Sequence, residues 1–179
     1  MSDSNMKQAP DQIVDNPIGL DREAVTPVVR SLNQDLATTY TFYHQIKKHH
    51  WVVEGPEYWS LHLFLDQWAA SLLKAADAMA ERITALGGYP VSGPAAQEAL
   101  CIFKVEAEGV FGLREMLEKD LGDGASIAEA LRAHIREAMA AGDFGTEEML
   151  KEILMEHEQN VHHLEHFLGH SSLALDLLR

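Results

Sequence analysis

The sequence predicts an all-α protein: a bundle of four helices with a long crossover connection between the second and the third. Three observations lead to this prediction. Apolar residues recur at steps of three and four over long stretches, glycine and proline interrupt them at only a few points, and one connection, residues 89–107, is much longer than the others. With 179 residues, 46% of them hydrophobic, the chain has ample material for the core of one domain.

The first two helices are the most strongly marked. Thr26-Pro27 suits a helix start, and the apolar face that follows runs to about Val53, where Gly55-Pro56 ends it. The second helix is expected over residues 58–86 and to end at Gly87-Gly88. It carries a second stripe of small and polar residues beside its core face. A bundle helix needs one buried stripe, so the second one predicts contact with another subunit.

The second half of the chain is more interrupted. A short helix is expected in the crossover near residues 110–121, stopped by Gly122-Asp123-Gly124. A capping box of Ser126 and Glu129 then predicts the start of the third helix. Thr146 is expected to cap the fourth helix, which should end at Gly169.

These elements divide the chain into three parts. Residues 1–20 are expected to form an irregular N-terminal arm, residues 21–170 the bundle domain, and residues 171–179 a C-terminal tail. The single cysteine, Cys101, excludes an internal disulfide framework, and the chain shows neither a signal peptide nor an apolar run long enough to cross a membrane. A cytoplasmic protein with no membrane partner is therefore expected.

The charge balance is strongly acidic, with 28 acidic against 14 basic residues and a formal net charge of −14. Such a field repels nucleic acid and attracts cations. Two causes remain open: an acidic outer surface, as in proteins adapted to high salt, and acidic pores or cavities that gather metal.

A cluster of potential metal ligands is the most informative feature of the chain. Its five members are His50, His62, Asp66, Asp77 and Glu81. On the second helix, His62 and Asp66 share a face, and so do Asp77 and Glu81. The eleven-residue step from Asp66 to Asp77 is about three turns, so both pairs point the same way, but they lie roughly 16 Å apart along the axis. One helix cannot wrap both pairs around one ion.

An antiparallel copy of the same helix removes this difficulty. His62 opposite Glu81 of the copy, and Asp66 opposite Asp77 of the copy, share one midpoint between Ser71 and Leu72. A single two-fold axis at that point would build two identical clusters between subunits. The sequence therefore predicts a metal site that belongs to a dimer.

The donor set indicates which ions fit. Imidazole with carboxylates suits iron, zinc, manganese or cobalt, and a carboxylate-rich site with few histidines favours redox iron over structural zinc. Simpler explanations stay open at this point. Each pair alone is typical of an ordinary helix surface, and His50 lies on an apolar face where a core histidine would also fit.

The same residues carry a resemblance to a known family. The strings HWVVEG at 50–55, LHLFLD at 61–66, DAMAER at 77–82 and LGGYP at 86–90 resemble the signature of the Dps mini-ferritins. The resemblance implies a homododecameric shell of ferritin-like four-helix subunits, with a short extra helix in the crossover. It also implies ferroxidase activity, in which Fe(II) is oxidised by hydrogen peroxide or oxygen and stored as ferric mineral.

Ligand roles follow from the resemblance position by position. His50, His62 and Asp66 match the iron ligands of one subunit, while Asp77 and Glu81 match those of its two-fold mate. Trp51 matches a tryptophan beside the centre, although a packing role is equally compatible.

Two departures from the family pattern affect other expectations. In the first 21 residues only Lys7 stands against Asp3, Asp11, Asp15 and Asp21, so DNA binding through the arm is not expected. The last helix carries a histidine run with no family role, which fits either an iron path or accessory metal site or an exposed polar face with one buried histidine: His157, His162, His163, His166 and His170. Four acidic residues near the start of that helix are candidates for a three-fold entry pore, although helix capping also explains two of them: Asp143, Glu147, Glu148 and Glu152.

Three rival functions remain. Ferritins and bacterioferritins build their di-iron site inside one bundle from Glu-x-x-His motifs, and this chain contains none. A nucleoid-associated DNA-protecting protein in which DNA binding dominates fits poorly with an acidic arm. A zinc-binding assembly protein would be distinguished by metal analysis.

Overall fold

The computed structural model describes residues 5–169 and contains five helices and no strand in that range. Their bounds are α1 Arg22–Val52, α2 Tyr58–Ala85, α3 Pro94–Leu100, α4 Leu113–Ala140 and α5 Phe144–Phe167. The four long helices form the bundle: α1 packs along α2 and against α4, α4 packs along α5, and α5 contacts α2. The predicted all-α four-helix bundle with a short extra helix in the crossover is confirmed. The expected tail, residues 171–179, lies outside the described residues.

The core lies between the apolar faces of the four long helices. Phe42 of α1 and Trp68 of α2 are fully buried at its centre, and their rings meet edge to face with centroids 5.3 Å apart. Leu131 of α4 and Leu164 of α5 complete the contact from the other two helices. Aromatic and leucine side chains of this size contribute roughly 2–3 kcal/mol each when buried.

The start of α1 is earlier than predicted. Asp21 is the N-cap and accepts a hydrogen bond from the Ala24 main-chain nitrogen at 2.9 Å, so the helix begins at Arg22 and Pro27 lies inside it. A proline there removes the main-chain hydrogen bond to the Glu23 carbonyl and crowds that carbonyl, and α1 tolerates it near its start. The prediction that Pro27 marks the first turn is therefore wrong, because the aspartate cap upstream outweighs it.

The prediction of a helix break at Gly122-Asp123-Gly124 is also wrong. α4 runs through it without interruption, and the extra helix is α3, which starts after Gly93 with proline in its first turn. Gly124 serves a close helix contact. A Cβ built on it would lie 2.8 Å from Val161 Cγ2 of α5, and its carbonyl accepts a hydrogen bond from His157 Nε2 at 2.8 Å.

The fourth helix begins at Phe144, with Asp143 as its N-cap instead of the predicted Thr146. The Asp143 carboxylate accepts hydrogen bonds from the Thr146 main-chain nitrogen at 3.0 Å and from its hydroxyl at 2.5 Å, and it also pairs with Arg82 of α2. Thr146 is thus the partner of the cap. This contact ties the start of α5 to the last turns of α2.

The described part of the N-terminal arm is docked on the turn that follows α2. The Val14 main-chain nitrogen and the Gln8 side chain both donate hydrogen bonds to the Gly87 carbonyl at 2.9 Å. Gly87 has φ +83°, and a Cβ there would lie 2.1 Å from the Val14 carbonyl oxygen. Only glycine adopts this positive φ without strain and leaves room for the Val14 carbonyl.

Within residues 5–169, no helix is long and apolar enough to cross a membrane.

Candidate metal centre

The junction of α1 and α2 brings the two predicted histidine ligands together. His50 lies in the last turn of α1 and His62 near the start of α2. His50 Nδ1 lies 2.8 Å from the His62 carbonyl oxygen, and His62 Nδ1 lies 2.9 Å from the His50 carbonyl oxygen. The rings stack at 3.8 Å between centroids, with 21° between their planes.

These reciprocal hydrogen bonds determine which nitrogen of each ring carries a proton. A carbonyl oxygen can only accept, so each Nδ1 must carry its proton. In the neutral rings, both Nε2 atoms therefore keep a free lone pair. A main-chain acceptor at one ring nitrogen is the usual way in which a protein orients a metal-binding histidine. The pair is set up as two nitrogen ligands before any ion is bound.

Asp66 is the third member that the structure places at this junction. Its Oδ1 lies 3.8 Å from His50 Nε2, and its side chain is 59% exposed. Lys47 of α1 binds the same oxygen at 2.7 Å. The hydrogen bond from Lys47 and its charge lower the pKa of Asp66, so the carboxylate stays ionised.

Asp77 and Glu81 lie further along α2 and do not reach the three residues at the junction. Both side chains are exposed, and neither forms a hydrogen bond or ion pair within the described range. Among residues 5–169, no group of three or more His, Cys, Asp or Glu side chains is arranged to enclose a metal ion. The structure therefore brings His50, His62 and Asp66 to one junction without closing a metal site, and it leaves Asp77 and Glu81 apart.

Two residues at the junction were missed by sequence reasoning. Lys47 lies three residues before His50, and Tyr58 lies four before His62, with its ring 5.0 Å from the imidazole. These spacings put Lys47 on the same helix face as His50, and Tyr58 on the same face as His62. The spacing was the signal in the sequence that could have identified both residues. Lys47 is paired with Asp66, and the ring of Tyr58 lies beside that of His62.

A buried polar network behind α1 holds the neighbouring histidine. His49 Nδ1 lies 2.6 Å from Asp120 Oδ2, and His49 Nε2 lies 3.0 Å from Glu106 Oε2. Gln45 donates a further hydrogen bond to Asp120 at 2.8 Å. Burial opposes protonation of the ring, but the hydrogen bonds and charges of the two carboxylates raise the pKa of His49. The network anchors the last turn of α1 to α4, and His50 is the next residue.

Large apolar side chains are exposed around the junction and along the outer stripe of α2. Trp51 is 69% and Trp59 67% exposed, and Leu63 and Leu73 are also open. Trp51 is therefore not packed in the core of its own subunit. An exposed apolar patch of this kind is typical of a surface that another protein covers.

The histidines of α5 divide into two kinds. His157 is buried and bonded to Gly124, whereas His162, His163 and His166 are exposed. His170 lies outside the described residues. The expected mixture of one buried histidine and an exposed polar face is present, and the exposed histidines stay available.

The predicted pore carboxylates also differ among themselves. Asp143 is buried and occupied as the cap of α5, so its assignment to an entry pore is wrong. Glu147 and Glu148 both lie within ion-pair distance of Lys151. Glu152 is exposed. For the last three a pore role stays a prediction.

Comparison with known proteins agrees with the four-helix fold. A ferritin-like domain model matches residues 29–174. The chain is 43% identical to the DNA protection during starvation protein of Halobacterium salinarum over 155 residues, 87% of this chain and 85% of the relative.

Two solved structures are similar as well. The crystal structure of an archaeal Dps homologue from Halobacterium salinarum matches with a TM-score of 0.92 at 39% identity, covering 94% of each chain. The Dps protein of Vibrio cholerae, described as a member of a broad superfamily of ferritin-like diiron-carboxylate proteins, matches with a TM-score of 0.81 at 25% identity, covering 88% of this chain and 99% of the other. The chain belongs to the Dps family of ferritin-like proteins.

Proposed function

We propose that this protein is a cytoplasmic ferroxidase and iron store. It oxidises Fe(II) with hydrogen peroxide or oxygen at sites shared by two subunits, and it holds the ferric product inside a dodecameric shell. One observation carries the proposal: two stacked histidines present free Nε2 atoms beside Asp66, while two further carboxylates, Asp77 and Glu81, lie on the same stripe of α2.

The shared site rests on the helix geometry. Asp77 and Glu81 lie too far along α2 to join His62 in one subunit, yet an antiparallel copy that crosses near Ser71 and Leu72 would bring them opposite it. The exposed stripe of α2 supports such a contact, since Leu73 lies next to the proposed axis and is 40% exposed. The same contact would cover the tryptophans at the junction.

Each group has a distinct task in the proposed reaction. The histidine nitrogens and the carboxylates bind Fe(II), and the negative charge of the carboxylates favours the ferric state. Two ferrous ions each give one electron to one hydrogen peroxide, whose O–O bond breaks. With two protons it leaves as two waters, so no hydroxyl radical is released. Asp66 is the ligand that must leave Lys47 to bind.

The sharpest test is complementation between two inactive variants. His62→Ala and Glu81→Ala should each abolish fast iron oxidation without preventing assembly. If subunits of the two variants are mixed in equal amounts, unfolded and reassembled, half of the two-fold pairs are mixed. Each mixed pair contains one intact site, so roughly a quarter of the wild-type sites should return. The rate of Fe(II) oxidation after peroxide addition measures this recovery.

The controls decide between a shared and a single-subunit site. Glu129→Ala, an exposed change on α4, should keep full activity through the same unfolding and reassembly. A mixture of His62→Ala with Asp66→Ala should not recover, because both ligands come from the same side of the pair. Equal recovery in both mixtures, or none in the first, would contradict the proposed arrangement.

We expect this protein to protect DNA by consuming Fe(II) and peroxide more than by binding to DNA. The described arm is docked on Gly87 and carries a single lysine, Lys7, beside Asp11 and Asp15. A gel shift at low salt should show no retardation of duplex DNA, while DNA should survive Fe(II) and peroxide when the protein is present. Tight binding at low salt would favour the alternative, a DNA-binding member of the family.

A further inference from the structure

We propose that His162 and His166 form a separate two-histidine site for a divalent first-row transition-metal ion on the exposed face of α5. The two residues are four apart on the helix, so their side chains lie one above the other. Their Nε2 atoms are 3.2 Å apart, and their ring centroids are 4.5 Å apart with 71° between the planes. Neither residue belongs to the His50, His62 and Asp66 cluster.

The separation of the two nitrogens suits a shared ion. A first-row ion binds imidazole nitrogen at about 2.1 Å. Two such ligands on one ion therefore lie about 3.0 Å apart at a right angle and about 3.4 Å apart at the tetrahedral angle. The observed 3.2 Å lies between these limits. No rearrangement of the helix would be needed.

The surroundings leave Nε2 of His162 turned toward His166. Glu165 Oε2 lies 3.8 Å from Nδ1, the other nitrogen of the His162 ring. His162 is 63% exposed at its side chain, so water can complete the coordination sphere. Two imidazoles with water ligands suit Cu²⁺, Ni²⁺, Zn²⁺ or Co²⁺, with Cu²⁺ the tightest.

The same geometry also fits a hydrogen bond between the two rings, in which Nε2 of one histidine donates to Nε2 of the other. An ion would replace that bond, with the displaced proton moving to solvent or to the exposed Nδ1. His163 provides a matched control, because it is also exposed but its ring lies against Phe64, with centroids 6.3 Å apart.

The test uses the full-length assembled protein carrying His62→Ala, so that the other histidine pair is disabled. The probe is Cu²⁺ complexed with nitrilotriacetate, which fills four coordination positions and leaves two neighbouring ones for imidazole. Binding is followed by visible absorption and by the nitrogen splitting in the electron paramagnetic resonance spectrum. We expect one complex per chain, with the spectrum of two imidazole nitrogens.

Adding His162→Ala or His166→Ala should weaken binding at least roughly tenfold, since the second nitrogen then no longer acts at high effective concentration. Adding His163→Ala should change neither the affinity nor the spectrum. Zn²⁺ in large excess should compete with the probe in the His163→Ala protein. Equal binding in all three variants, or no binding at micromolar probe, would overturn the proposal. Either result leaves the ferroxidase assignment untouched, because that assignment rests on other residues.

Discussion

His50 and His62 each donate a hydrogen bond from ring Nδ1 to the main-chain carbonyl of the other residue. The two helix ends and the two rings are therefore held by the same pair of contacts. If this pair binds an ion as we propose, neither ring has to turn, whereas the exposed Asp66 would have to exchange Lys47 for the ion. The proposed centre thus combines two oriented nitrogen donors with one carboxylate that is already paired.

The first prediction concerns Lys47. Lys47→Met should tighten binding of Co²⁺ at the candidate centre, because Asp66 no longer has to leave a competing ammonium. Since the carboxylate is exposed, the gain should be only about twofold to fivefold. Titration of the assembled protein with Co²⁺, followed by its visible absorption, measures the change. Lys74→Met, on the exposed face of α2, is the control, and equal tightening in both variants would point to a general charge effect.

A second prediction tests the network behind the site. Asp120→Ala removes the acceptor for both His49 and Gln45 in a fully buried position, so it should lower the free energy of unfolding by about 3 kcal/mol. Urea unfolding measures this difference. Glu118→Ala on the same helix breaks an exposed ion pair with Arg114 and should change it by less than about 1 kcal/mol. Similar values for the two variants would show that the network contributes little.

The third prediction separates the two glycines inside α4. Gly124→Ala should destabilise the protein by about 1–3 kcal/mol, because the new methyl group would meet Val161 at the α4–α5 contact. Gly122→Ala meets nothing within 4 Å and should stabilise the helix by about 0.5–1 kcal/mol. Thermal unfolding of both variants gives the comparison. Equal shifts would mean that α4 and α5 do not approach closely at Gly124.

The fourth prediction is a pH dependence. Burial lowers the pKa of His157 below its ordinary value of 6.5, so the folded protein keeps this ring neutral where the unfolded chain binds a proton. The contribution of His157 to stability is therefore complete above about pH 6.5 and is lost as the pH falls toward the folded-state pKa.

His157→Gln keeps a donor for the Gly124 carbonyl and removes the titration. Between pH 6.5 and 5.5 the wild type should lose up to about 1 kcal/mol per chain more than this variant. Urea unfolding at the two pH values measures the loss, and His163→Gln, an exposed change, should behave as the wild type. A parallel decline in all three proteins would exclude His157 as the cause.

Much of the fold could be predicted because apolar residues at helical spacing show which face of a long helix is buried. The limits of α2 and the end of α1 followed from apolar spacing and from the glycines after them. Gly124 misled the prediction, since a glycine that permits a close helix contact looks in sequence like a helix break. The partner that reveals its role, Val161, is remote in the chain.

The candidate site shows the same contrast. Positions on one helix could be predicted from spacing, whereas contacts between helices could not. His62 and Asp66 share a helix face by spacing alone, and the structure places His50, which the sequence also indicated, beside them. The pairing of Asp66 with Lys47 crosses from α2 to α1, and such a contact depends on how two helices dock. Asp143 was misassigned for a related reason: its burial depends on Arg82 of another helix.

The placement of the three tryptophans gives the protein a built-in optical probe. Trp68 is fully enclosed in the core, whereas Trp51 and Trp59 are largely open to solvent at the end where the candidate ligands lie. Emission from the two outer indoles should shift to shorter wavelength when subunits associate, and a paramagnetic ion bound near them should quench it. The inner indole then serves as an internal reference, so assembly and metal loading can be followed without an attached dye.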